Sequence, residues 1–139
     1  CAGFGIGNTD CEIADGSTDA FIPPAGAAVP GGRSDSLILA KNAAPSITLT
    51  WDPSCSTADT GASVYEGDLG NWYSHFEVPG LCDVPGATSA TFNYGAGNHY
   101  YLVVPSDGST EGSYGEDSSP GERPASTTPC LVQSIGTCP

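Results

Sequence analysis

The stretch Ser46–Trp51, "SITLTW", sets Ile47, Leu49 and Trp51 on one side of an extended chain and Ser46, Thr48 and Thr50 on the other. Alternation at period two is how a strand with one buried face reads, and β-branched residues suit its pleated surface. "DPSCSTADTG" (52–61) follows at once, a run of turn-forming residues that ends the strand. Outward from this stretch the same grammar repeats. "SLILAK" (36–41) precedes it; "ASVYEG" (62–67), "NWYSHFEV" (71–78), "ATFNY" (90–94) and "HYYLVVP" (99–105) come after, with "EGSYGE" (111–116) a weak last candidate. Ala90, Phe92 and Tyr94 share a face, as do Tyr100, Leu102 and Val104. "DVPG", "GAGN", "SDGST" and "SSPGERP" separate the runs with turn chemistry. No segment carries a 3.6-residue apolar period, and 19 glycines with 12 prolines argue against helices. The expected fold class is all-β, a sandwich of about seven short strands.

Composition narrows the function. The chain has 139 residues, enough for one domain of ~100 residues plus a tail. Sixteen acidic residues face only Arg33, Lys41 and Arg123, for a formal charge of −13. That surface repels phosphate backbones and anionic lipid headgroups, so no nucleic-acid partner is expected. No run approaches the ~18 apolar residues of a membrane-spanning helix, so no transmembrane segment is expected either. Methionine is absent even at position 1, which reads as a mature form whose leader has been removed. The six cysteines, Cys1, Cys11, Cys55, Cys82, Cys130 and Cys138, form no CxxC or CxxCH arrangement. Disulfides account for them better than zinc or haem, and imply an oxidising, secreted setting. Proximity along the chain favours Cys1–Cys11, Cys55–Cys82 and Cys130–Cys138.

Residues 1–34 differ from the rest. "CAGFGIGNTDC" alternates Ala2, Phe4 and Ile6 with glycines between two cysteines, and "GSTDAFIPPAGAAVPGGRS" is rich in Gly, Pro, Ala and Ser. The prolines forbid helix and discourage a central strand, so this segment reads as an extended arm ahead of a domain at 35–139. Three uses of its start compete. Cys1 is lipidated, leaving an odd number of thiols; or a Cys1–Cys11 loop packs on its own domain; or Ala2, Phe4 and Ile6 fill pockets along a sheet edge of a neighbouring subunit. The third contact is head-to-tail and propagates rather than closes.

The order of landmarks resembles a fibronectin type III domain. "SITLTW" before "DPS" is similar to the second strand with its terminal Trp, and Tyr65 stands where the family has a third-strand Tyr. Tyr94, "GAG" and Tyr100 have the spacing of the family's tyrosine corner, with Leu102 and Val104 continuing inward. "VYEGDLGNWYSH", "YYLVVPSDGSTEGSYGEDSSPGERP" and the closing cysteines resemble a disulfide-bearing variant found in large secreted and surface proteins of bacteria. The resemblance covers about residues 36–139. It implies an immunoglobulin-like sandwich that serves as a scaffold and interaction module, usually without catalysis. Family members sit inside long multidomain chains, so a lone module with a strand-like extension suggests a different use.

Catalytic chemistry has few candidates. His75 and His99 lie in no HExxH motif, no GxSxG elbow exists, and His99 reads as a surface strand position. The expectation is no enzyme and no cofactor. Calcium is the metal the carboxylates suit, through Asp10, Glu12, Asp15 and Asp19 in the N-terminal loop; Asp107, Glu111, Glu116 and Asp117 are a weaker cluster, and surface solvation is the ordinary alternative for both. Trp72 and Tyr73 could stack on sugar rings, although adjacent strand positions face opposite ways and one of the two should be core. The function expected is that of a secreted structural subunit of an extracellular filament or matrix, self-associating head-to-tail through its arm. The alternative is an adhesive module that binds polysaccharide or a surface protein.

Overall fold

The structure, a computed structural model, describes residues 10–11, 18–21, 36–116 and 121–136. Its strands are β1 (Asp10–Cys11), β2 (Thr18–Phe21), β3 (Ile38–Lys41), β4 (Ser46–Thr50), β5 (Gly61–Asp68), β6 (His75–Glu77), β7 (Val84–Pro85), β8 (Ser89–Asn93), β9 (His99–Ser106), β10 (Thr110–Glu111) and β11 (Val132–Gln133). No helix occurs among the described residues, as the scarcity of 3.6-residue periodicity foretells.

The strands form two sheets. β3, β4 and β8 make an antiparallel three-stranded sheet in that order, with Leu39 opposite Leu49 and Ile47 opposite Phe92. The larger sheet is centred on the long antiparallel pair β5–β9, which runs from Gly61↔Ser106 to Asp68↔His99. β6 and β7 extend it beyond β5, while β2, β10 and β11 lie on the β9 side. The main core lies between the sheets: Ile47, Leu49 and Trp51 meet Ala62, Val64, Tyr101 and Val103. Phe92 packs edge-on against Tyr101 at 5.2 Å, and Trp51 Nε1 donates to the Ala87 carbonyl at 3.1 Å. The face predicted from "SITLTW" is therefore the buried one.

"HYYLVVP" turns out differently. Tyr100, Leu102 and Val104 do not face the three-stranded sheet; Tyr101 and Val103 do. The other three join Tyr65 and Tyr114 in a second cluster on the outer face of the sheet, with Ala125 and Cys130 packed against it. The segment after β10 crosses that face and covers it, so every residue of β9 is buried. Both faces of this run are apolar enough to bury, and alternation alone does not say which one meets the opposite sheet.

Cysteine pairing also departs from expectation. Cys82 bonds to Cys130 with Cα atoms 5.4 Å apart. This excludes both Cys55–Cys82 and Cys130–Cys138; Cys55 is disulfide-bonded too, and Cys1 of the expected Cys1–Cys11 pair lies outside the described residues. Chain proximity misleads here because the C-terminal segment returns across β5 and brings Cys130 beside the Val78–Leu81 turn. The bond staples that covering segment to the sheet beneath it.

Candidate functional site

β9 carries the features from which a site can be built. Its one edge is taken by β5 along its whole length. Its other edge is shared. At the C-terminal end β10 pairs antiparallel for a single position, Glu111↔Ser106, before Gly112 N–H donates to the Pro105 carbonyl at 2.8 Å and the chain leaves to cover the outer face. At the N-terminal end β2 of the arm pairs in parallel, Thr18↔His99, Asp19↔Tyr100 and Ala20↔Tyr101. β1 then pairs antiparallel with β2. Among the described residues no strand pairs with Leu102–Val104 on that side. The arm thus supplies strand to a sheet whose own last strand is cut short. Ala2, Phe4 and Ile6, the residues expected to mediate assembly, lie outside the described residues, as do Glu12 and Asp15 of the calcium expectation; Asp10 and Asp19 of that expectation fall in β1 and β2.

Beneath the covering segment lies a buried polar cluster. The Glu111 carboxylate accepts hydrogen bonds from the Tyr65 hydroxyl at 2.7 Å and from the Tyr114 hydroxyl, while the Tyr65 oxygen accepts from the Cys130 amide at 2.7 Å. Burial pushes the Glu111 carboxyl up and the donated hydrogen bonds pull it back; burial likewise raises both tyrosines. His75 is buried against Tyr114, ring centres 4.9 Å apart, and burial lowers its pKa to about 4. The Tyr100 hydroxyl donates to the Ser74 carbonyl at 3.1 Å and is pushed up to about 12, chiefly by burial. Tyr100 consequently anchors the loop after β5, and is not a tyrosine corner bonded to the turn before β9. Glu111 inside this cluster and Asp107 capping the Ser109 and Thr110 amides at 2.8 and 2.7 Å do not converge on a cation.

One rim of the two-sheet core gathers aromatic and acidic side chains. Trp72 and Tyr73 are both exposed, at 38% and 56%, contrary to the expectation that one is core. They sit in a non-strand turn between β5 and β6, so the alternation rule does not govern them. Trp72 nevertheless packs on the Tyr100 ring at 5.4 Å, and Arg123 Nη1 donates to its carbonyl at 2.9 Å. Phe76 is also 56% exposed and borders a cavity of about 160 Å³ with Glu66, Asp68, Glu77, Asn93 and His99. His99 is buried, against the expectation of a surface position, because it lies inward at the start of β9 opposite Asp68. Glu77 lies near Cys82 and Cys130, but those sulfurs are joined to each other and offer no thiolate. Nothing in the sequence alone marked Glu66, Asp68 and His99 as a group, since only the β5–β9 register brings them together.

No protein-family model matches the chain, and no curated protein matches it in sequence.

Proposed function

We propose that the protein is a secreted structural subunit whose N-terminal arm joins copies by adding strand β2 to the β9 edge of a neighbour. The observation that carries this reading is the parallel pairing of β2 with β9. A strand that completes a sheet within one chain makes the same main-chain hydrogen bonds when a second copy donates it. The sixteen residues 22–37 between β2 and β3 are rich in Pro, Gly and Ala. Extended, they reach about 50 Å at ~3.3 Å per residue, beyond the width of a domain whose radius of gyration is ~13 Å. Because arm and acceptor edge are different surfaces, the contact is head-to-tail. The sandwich itself is fibronectin type III-like in this reading: β3-β4-β8 correspond to one sheet of that family, and β6-β5-β9-β10 to the other, with β10 abbreviated. The Cys82–Cys130 bond is consistent with an oxidising, extracellular setting.

Light scattering on the full chain tests the proposal. Ala20→Pro removes an amide donor from β2, and is expected to reduce a distribution of oligomers to monomer at equal concentration. An unchanged mass distribution would contradict it.

The exposure of Trp72, Tyr73 and Phe76 favours a second reading, an adhesive surface for polysaccharide. Trp72→Ala would then weaken retention on immobilised glycans at least ten-fold while leaving assembly intact; equal retention of both forms would dismiss it.

A further inference from the structure

We propose that β8 is a docking edge at which a second copy of this chain pairs, β8 against β8 antiparallel across a two-fold axis, joining two three-stranded sheets into one. Main-chain geometry carries the argument. Tyr94 N–H donates to the Pro45 carbonyl at 2.9 Å and Trp51 N–H to the Thr88 carbonyl at 2.9 Å, at the two ends of the β4–β8 register. Hydrogen-bonded and non-hydrogen-bonded pairs alternate along an antiparallel ladder, so Ala90 and Phe92 also bond to β4. The N–H and C=O groups of Ser89, Thr91 and Asn93 therefore point away from β4. Among the described residues no strand pairs with β8 on that side.

Open strand edges are ordinarily guarded by charge, proline or brevity. β3 carries Lys41, β6 carries Glu77, and β7 is two residues long and ends in Pro85. β8, "SATFN", has none of these, and at five residues it has the ordinary length of a strand. Its surroundings are equally bare of charge. Residues 84–98 hold no Asp, Glu, Lys or Arg, in a chain with sixteen acidic side chains. Ser46, Thr48 and Thr50, next to β8 in the sheet and on the same outer face, are uncharged as well.

Charge and symmetry name the occupant. Copies carrying −13 each repel wherever their carboxylates face one another, and at this edge two of them meet without that penalty. The outward groups are centred on Thr91. With Thr91 opposite Thr91, Ser89 of each copy falls opposite Asn93 of the other, and about six main-chain hydrogen bonds form. No like charges then stand opposite each other. Antiparallel pairing also keeps the acidic rims, which Asn93 borders with Glu66 and Asp68, at opposite ends of the joined sheet. The partner strand covers the open sides of Ala90 and Phe92, which are only partly buried against the core. One pair of such strands gives less than the ~1,200 Å² of a stable interface, so free chains associate weakly through it. Where the arm holds copies in a row, repeated β8 contacts add through effective concentration and join filaments side by side; that consequence alone rests on the arm reading.

Sedimentation equilibrium and amide exchange over a rising concentration series test it, on the wild-type chain and on Ala20→Pro, in which arm docking is impaired. Ala20→Pro, monomeric when dilute, should pass to dimer at the top of the series and stop there. In both chains the Ser89, Thr91 and Asn93 amides should slow by about five-fold or more with concentration, while Ala90 and Phe92 keep one rate throughout. Thr91→Pro removes an N–H that points outward, where an edge strand tolerates proline, and should abolish the dimer. Thr91→Lys, an exposed change that sets two like charges face to face, should do the same. A monomer throughout, a dimer indifferent to both Thr91 substitutions, or slowing at Ser89, Thr91 and Asn93 that Ala20→Pro removes would each overturn the proposal, the last by giving the edge to the arm. Failure of the arm reading shows separately, as wild-type oligomers that Ala20→Pro leaves intact.

Discussion

Gly67 lies under the ring of Tyr100, its partner across the β5–β9 ladder, and a Cβ at that position would overlap the ring atoms. The ring cannot move away, because its hydroxyl is tied to the Ser74 carbonyl and its face is covered by Trp72. Gly67→Ala should therefore cost about 1–3 kcal/mol through overpacking, read as a lower urea midpoint; an unchanged midpoint would mean that the ring shifts freely. His75 sets a pH dependence. Its folded pKa of about 4 lies below the unfolded 6.5, so the stability it contributes by staying neutral is full above 6.5 and is lost as pH falls toward 4. The amount is on the order of 3 kcal/mol. Glu111, raised above 4.5 by burial, acts oppositely, adding stability as pH falls through its folded value. The difference between wild type and His75→Phe isolates the histidine: the variant should lose less stability between pH 6.5 and 4, and parallel curves would refute the burial argument.

β9 is the element on which the molecule turns, with β5 on one edge, arm and β10 on the other, and a core on each face. If β2 protects its edge, amide exchange across His99–Leu102 should quicken at least ten-fold in Ala20→Pro, while the β4–β8 pairing keeps its protection; equal protection in both chains would mean β2 is not seated there. Much of this layout was legible in the sequence. "SITLTW" named its own buried face, because polar threonines left only one face to bury. "HYYLVVP" could not, because apolar residues on both faces fit either sheet. β7 and β11 escaped notice as two-residue pairings inside turn-rich sequence. The prolines led to the expectation of an extended arm, but nothing pointed to the strand β2: "TDAF" carries no apolar alternation, and pairing through main-chain groups leaves little mark on side-chain type. The Glu66, Asp68 and His99 group was hidden for a related reason, since it exists only through register between strands 31 residues apart, from Asp68 to His99.

Across the molecule, the Cys82–Cys130 bond and the buried Glu111 carboxylate are among the ties that hold the covering segment. Closing the 48-residue separation of Cys82 and Cys130 restricts the unfolded chain by ~4 kcal/mol in the loop-entropy description. Cys82→Ser with Cys130→Ser should lower stability by about 2–4 kcal/mol, measured by urea unfolding, and loosen the second cluster before the first. A net charge of −13 opposes association of like copies, and salt shortens the range of that repulsion to ~10 Å at 0.1 M and ~3 Å at 1 M. Assembly should accordingly strengthen with ionic strength, seen as rising mass in sedimentation; weakening would point to ion pairs as the adhesive contacts. The most direct measurement is electron microscopy of the full chain beside a chain lacking residues 1–34. Regular head-to-tail fibres that vanish on truncation, with the two-sheet β domain still folded by circular dichroism, are the predicted result. Dispersed particles in both samples, or fibres in both, would contradict assembly through the arm.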